Sequence, residues 1–364
     1  MWTAQRSGKA RRQETAFPQC EQSRGVASTS RVHYAAPTMA DTTLPTCWAI
    51  SDGAAGNERQ ALALARALGL APRVLRLRLR EPWASLAPRL TLGARHAIVD
   101  EHGAPLAPPW PDLAIGCGRR AALATRLLRA WSGGATFSVQ ILDPRIDARA
   151  FDLVIAPQHD RVAGANVLHT IGALNPVDAD WLAAGRMRFA RFGTLPAPRT
   201  AVLIGGSNRA QRLDRAYFDA LLERLAARHA SEGGSFLVSV SRRTPAPLAA
   251  HLRGAFAALP GVFWGGAQDG DNPYAGLLAW ADRLVVTPDS VNMLSEACAT
   301  GKPVYTFAPR PIGGKLAAFH AELVASGHLR RLDDSASAPQ PPPLAETAAI
   351  AELVRQRWRT HPAP

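Results

Sequence analysis

The stretch Arg283 to Phe307, RLVVTPDSVNMLSEACATGKPVYTF, limits the fold more than any other part of the chain, because it spells strand, tight turn, helix and strand in immediate succession. The β-branched run RLVVT is stopped by Pro288, and Asp289 or Ser290 is placed to cap a helix through Val291, Met293, Leu294, Ala297 and Cys298. Gly301 ends that helix and Pro303 opens the next strand. A helix starting at the carboxyl end of a parallel strand offers free N–H groups and the positive end of its dipole, which suits an anion such as phosphate. Glu296, about two turns into the helix, is within reach of sugar hydroxyls on a ligand seated there. An ordinary capped βαβ unit would carry the same pattern.

The alternation extends through the chain. Strands are expected at Cys47 to Ser51, Val74 to Leu79, Leu113 to Gly116, Thr136 to Leu142, Leu153 to Pro157 and Val167 to Thr170, with helices at about Glu58 to Leu68 and Arg119 to Trp131. A helix from Pro176 to Phe189 leads into FGTLPAPRT, which has the composition of a linker, and the pattern restarts at Ala201. Such alternation predicts an α/β fold of two Rossmann-like, doubly wound domains with a cleft between them. The expected parts are a disordered extension, or a segment before a start at Met39, over residues 1–40; a first domain over 41–192; a second over 200–330; a Pro-rich loop over 331–345; and a helix and tail over 346–364.

The formal charge of +13 invites a nucleic-acid reading, yet the cations are scattered and form no compact run interleaved with aromatics, so no dedicated nucleic-acid site is expected. Without residues 1–38 the charge falls to +9, as 36 basic residues then face 27 acidic ones. The basic surface is a candidate for peripheral contact with an anionic membrane, although no amphipathic anchor stands out. Cys20, Cys47, Cys117 and Cys298 are far apart and lack CxxC spacing, which argues against a zinc site and suits a reducing compartment.

Polar loops follow the strands at regular intervals. IGGSNR offers Gly205 and Gly206 for close backbone approach and Ser207 and Asn208 as polar tips, although it is neither a dinucleotide fingerprint nor a P-loop. SRRTP adds Arg242 and Arg243, suited to a diphosphate. Asp269 and Asp271 have a spacing that can hold a divalent cation, but their Gly-rich turn before Asn272 and Pro273, the expected N-cap and N1, favours a plain turn, and no metal is expected. In the first half, Asp52, Gly53, Gly56, Asn57 and Gln60 form a ligand-loop candidate, with Asn57 as cap or hydrogen-bond donor. GCGRR, QILDPR with Gln140, Asp143 and Arg145, and APQHD with His159 beside Asp160 complete the set, and His159 is a candidate general base.

In this order, the blocks WAISDGAAGNERQALALARALGL, PDLAIGCGRR, SVQILDPR, FDLVIAPQHD, VLIGGSNR, SVSRRTP and RLVVTPDSVNMLSEACATGKPVY resemble the mitochondrial fission family named after the plant elongated-mitochondria protein. Its bacterial branch is described as nucleoside-diphosphate-sugar epimerase-like, and the resemblance spans about Cys47 to Ser326. The family is in turn similar to the GT-B class of glycosyltransferases. That likeness implies a nucleotide-sugar as substrate, with no cofactor and no metal. Gly205, Gly206, Ser207 and Asn208 would line the donor site, Arg242 would approach the nucleotide, and Asp289, Ser290 and Asn292 would face the diphosphate. Glu296 would bind ribose or sugar hydroxyls, and the loop Gly53 to Gln60 would face an unknown acceptor. No base announces itself beyond His159 and Asp52. The resemblance also implies two alternatives: an adaptor recruiting a partner protein, as in plant mitochondrial fission, or a nucleotide-sugar epimerase. The corresponding location is the cytoplasm of a bacterium, or the mitochondrial surface of a eukaryote.

Overall fold

Apolar runs too short for helices and lacking polar alternation become strands covered on both faces, and three of them here, CWAIS, LAIGC and LVIAP, are buried at every position, as is FSVQI despite its alternating Ser138 and Gln140. The computed structural model describes residues 45–334, 339 and 341–361. The expected extension over 1–40, residues 335–338 and 340 of the Pro-rich loop, and residues 362–364 lie outside those described.

The first lobe is a six-stranded parallel sheet of β1 (Cys47–Ser51), β2 (Arg73–Arg76), β5 (Leu113–Cys117), β6 (Phe137–Ile141), β7 (Leu153–Pro157) and β8 (Val167–Thr170). Their spatial order is β2-β1-β5-β6-β7-β8. Helices α1 (Ala55–Ala67) and α3 (Arg119–Trp131) cover it. The run expected as one strand over Val74 to Leu79 is divided. After Leu77 the chain leaves the parallel sheet, and β3 (Arg78–Leu79) pairs antiparallel with β4 (Ile98–Val99), flanking the short helix α2 (Trp83–Leu86). The period-2 alternation of Leu and Arg is kept, with Leu75 and Leu77 buried and Arg76 and Arg78 exposed.

The second lobe contains β9 (Arg199–Ile204), β10 (Ser235–Val240), β11 (Gly261–Trp264), β12 (Arg283–Val286), β13 (Val304–Thr306) and β14 (Arg330–Arg331) in the order β11-β10-β9-β12-β13-β14, all parallel. This is the doubly wound arrangement in which the winding reverses beside the first strand, opening a crevice at the carboxyl ends of β9 and β12. Around it lie α4 (Ala179–Arg188), α5 (Arg215–Glu232), α6 (Ala246–Phe256), α7 (Tyr274–Trp280), α8 (Val291–Ala299) and α9 (Gly314–Ala325).

Two segments cross between the lobes. Helix α4 precedes the expected linker, yet its Leu182, with Phe189 and Phe192 just after it, joins the second lobe's core. Of the expected linker FGTLPAPRT, residues 192–194 end a 3-10 turn anchored by buried Phe192 and residues 199–200 already belong to β9, which leaves 195–198 as the connection. The last helix, α10 (Glu346–Arg359), returns to the first lobe, where Ile350, Ala351 and Val354 pack with Leu64 and Ala65 of α1. Glu346 accepts hydrogen bonds from the backbone N–H groups of Ile171 and Gly172, both at 2.8 Å.

Candidate functional site at the second-lobe switch point

The loops after β9, β10 and β12 meet around one buried carboxylate. Thr287 donates its hydroxyl to Asp289 Oδ1 at 2.7 Å, Gly206 N–H donates to Oδ2 at 3.1 Å, and Arg243 Nη2 lies 2.5 Å from Oδ2. The Asp289 side chain is fully buried. A Cβ on Gly205 would sit 2.2 Å from both Asp289 carboxylate oxygens, and one on Gly206 would sit 2.5 Å from the Arg243 carbonyl oxygen, so only glycine permits this approach. Gly205 N–H donates to Thr287 Oγ1 at 2.8 Å, and Thr244 donates its hydroxyl to the Gly205 carbonyl.

Asp289 thus turns inward and knits the loops together, instead of facing a diphosphate as expected. Ser290, the next residue, caps α8 by accepting from Met293 N–H at 3.4 Å. Ser207 accepts from Leu213 N–H at 2.9 Å, while Asn208 accepts from Ala210 and Gln211 N–H and donates to the Asp289 carbonyl at 3.0 Å. Arg242 lies on a cavity of about 640 Å³ beside this loop, lined also by Arg243, Arg253, Phe263 and Gln268. Asp269 is held by Arg253 at 2.6 Å and Gly265 N–H at 2.7 Å, which keeps its carboxyl below the usual range, and Asp271 pairs with Arg188 at 2.9 Å. Asn272 accepts from Tyr274 N–H at 3.0 Å, so it closes the turn before α7 one residue earlier than a helix cap would.

The first lobe's loop meets α8 directly. Glu296, 1 % exposed, takes Arg59 Nη1 on Oε1 at 2.6 Å and the Tyr274 hydroxyl on Oε2 at 2.5 Å. Burial, then the Glu296 charge, pushes the Tyr274 hydroxyl well above its usual value. Gln60 Nε2 donates to Asn292 Oδ1 at 3.3 Å, and a Cβ on Gly56 would lie 2.0 Å from Asn292 Nδ2. Expected acceptor-side residues Gly56 and Gln60 therefore touch expected donor-side residue Asn292. Asp52 accepts from Ala54 N–H at 3.2 Å and from Asn57 Nδ2 at 3.1 Å. Asn57 lies in the first turn of α1 and braces the loop instead of capping the helix, and Gly53 supplies a φ of +81°.

His159 stands elsewhere, against α9. Its ring is 5.3 Å from that of Phe319, and Nδ1 is 3.8 Å from Glu322 Oε2, with neither atom hydrogen-bonded. Asp160 does not orient it, because that carboxylate holds Lys315 at 2.7 Å, which also reaches Asp143 at 3.2 Å. Burial lowers the His159 pKa, with Lys315 adding to the fall and Asp160 opposing it. Arg59, Tyr274, Thr287 and Lys315 were not anticipated as members of these clusters. One signal was present: Gly56, Arg59 and Gln60 repeat at i, i+3, i+4, as do Asn292, Ser295 and Glu296, which places each trio on one helical face.

A family model described as mitochondrial fission ELM1 matches residues 55–358. The chain belongs to that family. Among its relatives, the mitochondrial fission protein ELM1 of Arabidopsis thaliana is 28% identical, over 84% of this chain and 90% of its own length. An uncharacterised protein of Rickettsia prowazekii is 26% identical, over 85% of this chain and 97% of its own. Solved structures place this ELM1-family chain in the GT-B-like fold. The glycotransferase of kitacinnamycin matches with a TM-score of 0.52 at 15% identity, over 86% of this chain and 99% of its own. The UDP-GlcNAc 2-epimerase of Methanocaldococcus jannaschii matches with a TM-score of 0.54 at 11% identity, over 86% and 100%. Among the described residues, no helix is long and apolar enough to cross a membrane, and no group of three or more His, Cys, Asp or Glu could hold a metal ion.

Proposed function

We propose that this ELM1-family chain binds a nucleoside-diphosphate sugar in the second-lobe crevice and transfers the sugar to an acceptor presented by the first lobe. The supporting observation is the convergence at the β9/β12 switch point. There, glycines whose Cβ would collide with Asp289 and Arg243 bring loop backbone to the capped N-terminus of α8. Such a terminus stabilises a pyrophosphate through N–H groups and dipole, and the same groups would stabilise the leaving diphosphate without a metal. The Arg242 cavity beside it has the size and the cationic rim for the rest of a nucleotide. The UDP-GlcNAc in the name of the Methanocaldococcus epimerase makes UDP-sugars the first choice to assay.

Calorimetric titration with UDP-, GDP-, ADP- and CMP-sugars tests the reading. One of them is expected to bind saturably, and about tenfold or more weaker binding is expected from Arg242→Ala, the loss of one charge-assisted contact, and from Gly206→Ala, whose Cβ would force the loop off the Arg243 backbone. No saturable binding by any of the four would end the proposal. Interconversion of the sugar without an acceptor would identify an epimerase instead. Binding without turnover would favour an adaptor, a reading supported by the fission protein among the relatives.

A further inference from the structure

Resting on the reading above, we infer that Arg59 is an affinity-determining latch: it occupies, from the first lobe, the carboxylate that a ribose diol would take in the second, so that nucleotide binding must displace it. Three observations carry this. Glu296 lies one helical turn beyond Asn292 on the same face of α8, about 8 Å along the axis from the helix start, so a ribose linked to a pyrophosphate seated at that start lies within reach of its carboxylate. Both oxygens of Glu296 already receive strong donors, the Arg59 guanidinium on Oε1 and the Tyr274 hydroxyl on Oε2, the pair of contacts that two vicinal hydroxyls would make. Arg59 is the replaceable member. Its side chain is 44% exposed, against 2% for Glu296, and it belongs to the other lobe, so it can swing out without opening a core.

A carboxylate this buried is not left bare, because an unpaired charge in the interior is costly. Arg59 therefore stabilises the chain without ligand by standing in for it. The neighbouring contacts make the latch cooperative: Gln60 bonds Asn292, Gly56 lets the helices approach, and Arg59 lies 5.6 Å from the centre of the Tyr274 ring. Losing Arg59 from Glu296 loosens the face where α1 meets α8, and that same face leads to the helix start where the diphosphate is proposed to sit. Binding and lobe separation are thus linked, and the apparent affinity is reduced by the fraction of molecules that are latched.

The test compares wild type, Arg59→Ala and Arg59→Lys for binding of UDP, GDP and ADP, each beside its 2′-deoxy counterpart, by calorimetry. Arg59→Ala is expected to bind the ribonucleotide on the order of five- to tenfold more tightly than wild type, with little gain for the 2′-deoxy form, and Arg59→Lys to stay near wild type. A gain equal for both sugars would reflect general loosening and would overturn the inference. Equal ribonucleotide affinity in wild type and Arg59→Ala would overturn it as well, while leaving the proposed nucleotide site standing. Absence of binding to wild type and variants alike would remove both. Should Arg59→Ala fail to fold, Arg59→Met, which keeps the aliphatic stem and removes the guanidinium, gives the same comparison, with the same ribose-dependent gain expected and a gain shared by the deoxy form counting against the latch.

Discussion

A carboxylate as buried as that of Asp289 is tolerated only because the lone pairs it turns inward meet donors, here the Thr287 hydroxyl, the Gly206 N–H and Arg243. Asp289→Asn would keep the shape but set an NH₂ group against one of these donors. We expect a loss of about 2 kcal/mol, in the range of a charge-assisted hydrogen bond, seen as a lower urea midpoint with an unchanged m-value. An unmoved midpoint would mean that Asp289 does not hold the loops. This residue also marks how far the sequence could be read. Asp289 and Ser290 both have the chemistry of a helix cap, and which one faces inward depends on Gly206 and Arg243, contacts set by the fold and not by local propensity. The partner of Glu296 was illegible for the same reason, since Arg59 lies 237 residues away and only the packing of two helices joins them.

At the scale of elements, local signals were sufficient where burial on both faces left one solution. β1 and β7 occupy the residues their patterns predict, because continuous apolar runs bounded by Gly, Pro or polar loops have few other uses; the edge strand β8 and the amphipathic helix α3 also fall where expected. The break after Leu77 was unreadable, since the alternation of Leu and Arg continues through it and only the pairing partner changes. The docking of α4 and α10 onto particular lobes depends on long-range contacts in the same way. A tertiary contact also ends α7: Lys302 Nζ donates to the carbonyls of Leu278 and Ala279 at 2.6 and 2.8 Å. Burial, aided by Arg186, pushes the Lys302 pKa down to about 8. Lys302→Met leaves two carbonyls without their donor, a cost of about 1–2 kcal/mol that relief of the buried charge offsets in part at neutral pH. The sign of the pH effect follows from linkage. Between the folded value of about 8 and the ordinary 10.5 the unfolded chain holds more protons, so wild type gains stability as pH rises through that window and the variant lacks the gain. Chemical denaturation of both proteins across that window measures it, and a constant gap between them would contradict the assignment.

Across the whole molecule, one titrating cluster spans the two lobes. The first lobe contributes His159, Asp160 and Asp143, and α9 of the second contributes Lys315, Phe319 and Glu322, with Glu346 of α10 acting on Glu322 by its charge. His159 is held below its ordinary 6.5, first by burial and then by Lys315, against the pull of Asp160. The native state therefore resists a proton that the unfolded chain accepts, and stability falls as pH drops below about 6.5. Glu322 acts in the opposite sense. Burial and then Glu346 raise it above its ordinary 4.5, so in that window the native state holds the extra proton and acidification restores part of the loss. On acidification from neutral pH the histidine window is entered first, at about 6.5, and the carboxyl window runs up towards it from 4.5. His159→Phe keeps a ring against Phe319 and removes both the proton site and the unpaired Nδ1. We expect the variant's advantage over wild type to be larger near pH 6 than near pH 7.5, by less than about 1.4 kcal/mol per unit of pKa displacement. Denaturation midpoints of the two proteins from about pH 7.5 to 5.5 make the comparison. Parallel curves would show that the interlobe histidine does not sense pH, and that the lobes are held together in acid by other contacts.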